Sequence, residues 1–395
     1  MTSVLRGVCE RLLAASGVRM STSGAAHPWD IRVHDERVYR RVLLEGAIGF
    51  GDSYMDGWWD CDDLEEMIVR LIRGGAERSS MRMPGRLALG ALAAALNRQT
   101  RGMSRRQARH YDLDNELFCG FLGKYKAYSC AYFKGTEDLD VAQHNKLEMI
   151  CQKLDLRAAD RVLDVGGGWG ELARYMAETR RCHVTSINIS DEQLRYARSA
   201  CRGLPVDVVK QDYRDLDGTY DKIAVIAVVS QFGHKNYRFF MEKMHRCLAP
   251  DGLVLVDTVG SNVATTHGNP WIDKHVFPGI VFPSISQLAG AAEGLLMIED
   301  VHGIGPSYAK TLRAWNANLQ RTWPSLAGRH PESTRRMFEF FFLTVAGYFR
   351  ARDMQDWHIL LARQGATQPP DHRWFGDQPA KNDAARAASS WGASS

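Results

Sequence analysis

No run in the 395 residues approaches the roughly 20 apolar side chains that a membrane-spanning helix needs. Cysteine is sparse and scattered. Eight are present, none in C-x-x-C spacing, so neither a zinc site nor a disulfide framework is signalled and no metal ligands are assigned. A reduced, cytoplasmic protein is the expectation. The opening MTSVLRGVCERLLAASGVRM has no clean apolar stretch, because Arg6, Glu10, Arg11 and Arg19 interrupt it. It makes a poor signal peptide and a fair amphipathic helix. Net charge is small, +4 with histidine neutral, but it is unevenly spread. Arg70, Arg73, Arg78, Arg82, Arg86, Arg98, Arg101, Arg105, Arg106 and Arg109 have only Glu77 as acidic company. One reading is a solvated linker helix. The other is attraction to an anionic surface, either peripheral phospholipid head groups at the inner membrane face or an acidic carrier protein. No aromatic interleaving accompanies the charge, so no nucleic-acid partner is expected.

The stretch RVLDVGGGWGELARYMA, Arg161 to Ala177, is the centre of the chain. Val162, Leu163 and Val165 read as a buried strand, Gly166 to Gly170 as a turn, and Glu171 onward as a helix. Such a turn lets a ligand touch bare backbone at a helix N-terminus. The dinucleotide fingerprint is not met, since its sixth position, counted from Gly166, is Glu171. A P-loop Lys-Ser/Thr is also missing. A strand-end carboxylate, Asp164, followed by G-x-G-x-G through Gly166, Gly168 and Gly170, resembles the first motif of class I S-adenosylmethionine (SAM) methyltransferases. A carboxylate can hold the methionine ammonium there, and the glycines admit the sulfonium.

Around it the chain alternates as an α/β domain should. HVTSINIS, PVDVVKQDY, DKIAVIAVV and GLVLVDTVG read as further strands, and DKIAVIAVV, almost wholly apolar, suits a strand buried on both faces. Ligands bind beyond the carboxyl ends of such strands, here Asp164, Asn188 to Ser190, Asp212, Ser230 and Asp257. HILLARQG reads as the last strand. The expected organisation is a helical N-terminal domain over 1–75, a basic linker over 76–109, and a catalytic domain over 110–367. A lid-like insert over about 261–320 follows the fifth strand, rich in Pro, Gly and aromatics, with Trp271, Phe277, Phe282 and Trp315 needing burial. The tail over 368–395, rich in Ala, Ser, Pro and charge, is expected to be disordered.

Several stretches, in order, carry a family resemblance: EGAIGFGDSYMDGWWDCDDL, HYDLDNELF, YSCAYFK, VLDVGGGWGELARYMA, QDYRDL, HKNY, PWIDKHVFP and FRARDMQDWHILLAR. Spread over residues 28–364, they resemble the cyclopropane-fatty-acid synthases and their mycolic-acid cyclopropane synthase relatives. The N-terminal unit is similar to that of the bacterial two-domain synthases. The resemblance implies a Rossmann-like class I methyltransferase sheet, SAM as cofactor, an unsaturated phospholipid or other alkene as substrate, and a homodimer. It also implies methyl transfer to a cis double bond, a carbocation, and bicarbonate as the base that strips a proton from the new methyl so that a ring closes. Such a site must exclude water. Residue by residue, the resemblance places SAM against Tyr128, Ser129, Asp164, Gly166, Gly168, Gly170, Asn188, Gln193, Asp212 and Tyr213. The family usually has Cys where Gly167 stands and Thr or a similar residue where Asn188 stands.

The bicarbonate ligands match only at Cys130 and Tyr308. Where the family has a Glu-His pair, this chain has Ser230 and Gln231; where it has a His before Thr-Ile-Gly, this chain has Asp257. Two anions side by side repel. Asp257 is therefore expected to replace bicarbonate as base, or to stabilise the cation, with Cys130, Tyr308 and Ser230 completing the catalytic set. Other readings stay open: a C-methyltransferase or cyclopropanase acting on an unsaturated natural-product or carrier-bound intermediate, and a non-catalytic lipid- or SAM-binding homologue.

Overall fold

The computed structural model describes residues 2–75, 100–111, 115–367 and 369. The larger part of the basic linker, 76–99, and nearly all of the tail from 368 lie outside the described residues.

Seven strands form one sheet: β4 (Arg161–Val165), β5 (His183–Asn188), β6 (Val206–Lys210), β7 (Tyr220–Ile226), β8 (Leu248–Ser261), β9 (Leu296–Gly303) and β10 (Met354–Arg363). Their order is β6-β5-β4-β7-β8-β10-β9, with β10 antiparallel to both neighbours and the first five strands parallel. The apolar run of β7 is buried on both faces, which its position between β4 and β8 demands. Helix α7 (Leu139–Lys153) lies on one face with α8 (Glu171–Arg180), α9 (Asp191–Ala200) follows β5, and α10 (Tyr237–Cys247) covers the other.

Leu296–Gly303 departs from the expected insert. It is the edge strand β9, not part of a lid, and it is exposed for most of its length. The excursion after β8 is thus shorter, holding α11 (Pro270–His275) and α12 (Ile285–Ala292). Trp271, Phe277, Phe282 and Trp315 all join or pack against one core cluster, as their size requires.

The N-terminal unit contains α1 (Thr2–Leu13), α2 (Arg37–Glu45), α3 (Ala47–Met55) and α4 (Leu64–Arg73). It also holds a small sheet of β1 (Met20–Ser21), β2 (Ile31–Val33) and β3 (Trp59–Asp60). Its core is continuous with that of two long helices near the end of the chain, α13 (Gly305–Leu326) and α14 (Glu332–Arg350). Charge-assisted bonds stitch the seam. Arg336 donates to the Tyr54 carbonyl at 2.6 Å and to Asp60 at 2.7 Å, Tyr54 donates to Glu339 at 2.9 Å, and Arg313 grips Glu65 through two bonds of 2.7 and 2.8 Å. Gly51 has to be glycine, because a Cβ there would sit 2.4 Å from the Trp271 ring.

Candidate active site

The turn after β4 is built on glycine. Gly166, Gly168 and Gly170 take φ of 77, 56 and 86°, and a Cβ on Gly167 would stand 1.9 Å from Ser186 Oγ and 2.4 Å from Asp164 Oδ2. That space is used by a hydrogen bond: the Ser186 hydroxyl donates to Asp164 at 2.9 Å. Asp164 is buried, which pushes its carboxyl up to about 6 against the opposing pull of the Ser186 bond and the Lys146 charge. Asn188, at the end of β5, donates to Gln193 at 2.9 Å and accepts from the Ile189 N–H at 2.7 Å. Asp212 accepts from the Arg214 guanidinium at 2.8 Å, and the Tyr213 ring stacks on Phe232 with centroids 4.1 Å apart.

One cleft gathers Tyr128, Ser129, Asp164, Gly166, Gly168, Asn188, Gln193, Asp212 and Tyr213. Gly170 stands behind it, capping α8 and facing α9, where a Cβ would lie 2.9 Å from that of Ala197. The cleft also takes Ser104 and Gln107 from helix α5 (Arg101–Tyr111). Gln107 donates to the Pro278 carbonyl at 2.8 Å, and Arg101 holds Asp215 through two bonds of 2.6 Å. The described end of the basic linker therefore closes a binding cleft. The residues present suit SAM: the bare glycine turn admits it, and the Tyr213 hydroxyl and one Glu171 oxygen, 3.9 Å from the Arg174 guanidinium, are buried there without hydrogen bonds. Burial raises Glu171 to about 7.

One strand away lies a second polar site. Ile226 and Ala227, which line the cleft, are tied to Asp257: Ile226 is its register partner on β7, and the Ala227 N–H donates to its carbonyl at 3.0 Å. Asp257 in turn faces His358 across β8 and β10, with Nε2 3.2 Å from Oδ2. Since a carboxylate only accepts, the bonded ring nitrogen carries the proton. Burial holds the His358 imidazole below its usual range, so it is neutral, and its Nδ1 has no partner. Two residues earlier on the same strand face stands Asp356. Asp257, Asp356 and His358 are at most 1% exposed, and the donors that face Asp356 are the weak Cys130 thiol and the Trp357 backbone N–H, neither in a well-formed hydrogen bond. Burial, and next the Asp257 charge, push Asp356 far above the carboxylate range.

Cys130 and Tyr308 border this cluster, and both are held protonated, chiefly by burial and then by Asp356. The Cys130 thiol donates to the Ala131 carbonyl at 3.2 Å. Helix α7 supplies Lys146, whose Nζ donates to Ser129 Oγ at 3.0 Å, and Lys153, which reaches Asp300 at 2.9 Å. Lys146 is buried and interacts with Asp257, Asp164 and Asp356, so it stands between cleft and cluster. Ser230 lies on the buried turn after β7, where its carbonyl accepts from Val281 at 2.8 Å.

Asp257, Cys130 and Tyr308 are thus brought together as the sequence suggests. Asp356, His358 and Lys146 are the residues that sequence reasoning misses. A signal existed. Asp356 and His358 share the parity of Leu360 and Ala362, the inward face of a central strand, where charge is out of place.

Sheet order, glycine turn and strand-end carboxylate define a class I SAM-dependent methyltransferase. A family model described as mycolic acid cyclopropane synthetase matches residues 98–359. The chain is 38% identical over 364 residues to the cyclopropane-fatty-acyl-phospholipid synthase of Escherichia coli K12, covering 90% of this chain and 93% of that one. It is 30% identical over 384 residues to the tuberculostearic acid methyltransferase of Mycobacterium tuberculosis, covering 90% and 88%. The crystal structure of the mycolic acid cyclopropane synthase CmaA1 complexed with SAH and CTAB superposes with a TM-score of 0.61 at 27% identity, over 66% of this chain and 97% of that one. The chain belongs to the mycolic acid cyclopropane synthetase family.

Proposed function

We propose that the enzyme converts a cis double bond in a phospholipid acyl chain to a cyclopropane, with Asp257 as the base. SAM supplies an electrophilic methyl group. As its C–S bond breaks, a new C–C bond forms to one alkene carbon and leaves the neighbouring carbon cationic. Asp257 then takes a proton from the new methyl, and the released C–H electron pair closes the ring. A carboxylate about 4 Å from a cation is worth about 4 kcal/mol at the effective dielectric of a protein site. The observation that carries the reading is the buried Asp257 carboxylate on β8, level with Ile226 at the carboxyl end of β7 and one strand from the cofactor cleft. Bicarbonate does not fit this site, because Asp257 and Asp356 already crowd it with carboxyl groups. The 38% identity to a phospholipid-modifying synthase supports the acyl substrate.

The test is turnover of methyl-labelled SAM on unsaturated phospholipid with bicarbonate rigorously removed, and product structure by NMR. High-field cyclopropyl protons, undiminished without bicarbonate, are expected. Retained olefinic signals would instead give a methyl-branched alkene, a reading favoured by the tuberculostearic acid methyltransferase relative. Mass does not separate the two products, which contain the same atoms.

The arginine-rich linker is proposed to bring the enzyme to anionic phospholipid surfaces. Among the described residues no helix is long and apolar enough to cross a membrane. Binding to anionic vesicles that weakens with salt is the expected result. A homodimer is proposed as well, checked by sedimentation.

A further inference from the structure

Asp257 is not the sole carboxyl group available at the reacting centre. Asp356 lies on the adjacent strand, two residues before the His358 that pairs with Asp257, fully buried, with the Cys130 thiol and the Trp357 N–H turned toward it but no well-formed hydrogen bond to either oxygen. A buried carboxyl left without a well-formed hydrogen bond costs free energy that an ordinary structural role would not sustain. His358 engages one oxygen of Asp257 and leaves Asp356 untouched. The groups that face the pair are Lys146 and Lys153 on α7, Cys130 before α7, Tyr308 on α13 and His358 on β10.

We propose that Asp356 is a second catalytic residue, and that Asp257 and Asp356, with His358 as a positioning residue, form one proton-accepting pair. This rests on the cyclopropanation reading above. Two carboxyl groups in one dry site do not both ionise, so the resting pair holds one proton and one negative charge. A hydrogencarbonate ion likewise has one proton and one charge, and the pair builds that chemistry into the chain. The reaction adds a second proton. The methyl C–H bond breaks, its electron pair forms the last ring bond, and the proton goes to a carboxylate oxygen of the pair. The cation and the monoanion disappear together, so no net charge is left or created in a water-poor site. The His358 N–H fixes Asp257, so the free oxygens of the pair face the substrate in one geometry.

The experiment couples a reaction with a spectrum. In full-length Asp356→Asn, kcat for methyl transfer to unsaturated phospholipid is expected to fall about 100-fold. The KM for SAM should stay within about twofold, and methyl-branched alkene or alcohol should appear beside the cyclopropane. His358→Gln, which keeps a donor, should retain more kcat than His358→Leu. A folded Asp356→Asn with wild-type kcat and product overturns the proposal. So does one that only melts earlier, its kcat per folded molecule and product unchanged. Should that variant fail to fold, carboxyl-carbon NMR of wild-type protein labelled at aspartate decides. One buried carboxyl should stay protonated at neutral pH and titrate jointly with a second; two independent ionised signals overturn the pair. Wild-type enzyme that makes no lipid product at all would remove the cyclopropanation reading, and the spectrum alone would then decide whether the pair shares a proton.

Discussion

The cofactor cleft and the carboxyl cluster are neighbours in the same sheet, and they treat buried charge in opposite ways. In the cleft Asp164 receives the Ser186 hydroxyl, Asp212 receives Arg214, and Asn188 bonds on both sides. In the cluster no well-formed hydrogen bond reaches Asp356, which faces only a weak thiol donor and a backbone N–H, and a single imidazole serves Asp257. Groups that must hold a cofactor in one pose are pre-oriented by partners. Groups proposed to accept a proton keep lone pairs open.

The strongest way to break this contrast is to remove the anion from the cluster alone. Asp257→Asn keeps shape and takes away charge, so turnover should fall about 1,000-fold. SAM affinity, measured by calorimetry, should stay within about twofold. A parallel loss of SAM binding would mean that the two sites are one. The converse substitution, Asp164→Asn, acts in the cleft. It should weaken SAM binding about 10- to 100-fold, the scale of one hydrogen bond to a charged group. The rate at saturating SAM should change far less.

The two regions also differ in how far the sequence reveals them. The cleft is legible because its constraints are local: glycines at fixed spacing, a strand-end acid, and caps such as Ser190, whose side chain accepts from the Gln193 N–H at 3.3 Å. The cluster is assembled by strand register. His358 meets Asp257 across 101 positions of chain, and no short-range pattern announces that pairing. Family spacing pointed to Asp257, Cys130 and Tyr308, but the residues that meet Asp257 from β10 show only through strand parity. Strand β9 was hidden for another reason. As an exposed edge it lacks the alternation of a half-buried strand, and Glu299 and Asp300 make it read as loop. The N-terminal unit was legible as helices, but its shared core with α13 and α14 depends on contacts such as Tyr54 to Glu339, nearly 300 residues apart.

Protonation offers a finer probe. Asp164 sits at about 6 in the free protein, and a bound ammonium requires its charged form. Affinity for SAM should therefore hold above neutrality and fall as pH drops through 6, by about tenfold between pH 7 and 5. Asp164→Asn should flatten that profile. A break that persists in this variant would assign the titration elsewhere, with Glu171 the next group in the cleft.

The smallest expected effect tests whether pairing is what distinguishes the cleft. Ser186→Ala removes the hydroxyl that lowers Asp164 while leaving the glycine turn and the carboxylate in place. Without that donor the charged form is less favoured, so the carboxyl should rise further and the break in SAM affinity should move upward in pH. At pH 8 the variant should bind nearly as wild type; at pH 6 it should bind about threefold more weakly. The lost bond should also cost about 1 kcal/mol of stability in chemical unfolding. An unmoved break would mean that the Ser186 bond does not tune the acid, and that Lys146, the other group favouring its charged form, sets its state alone. The paired cleft and the unpaired cluster would then be governed by the same buried lysine.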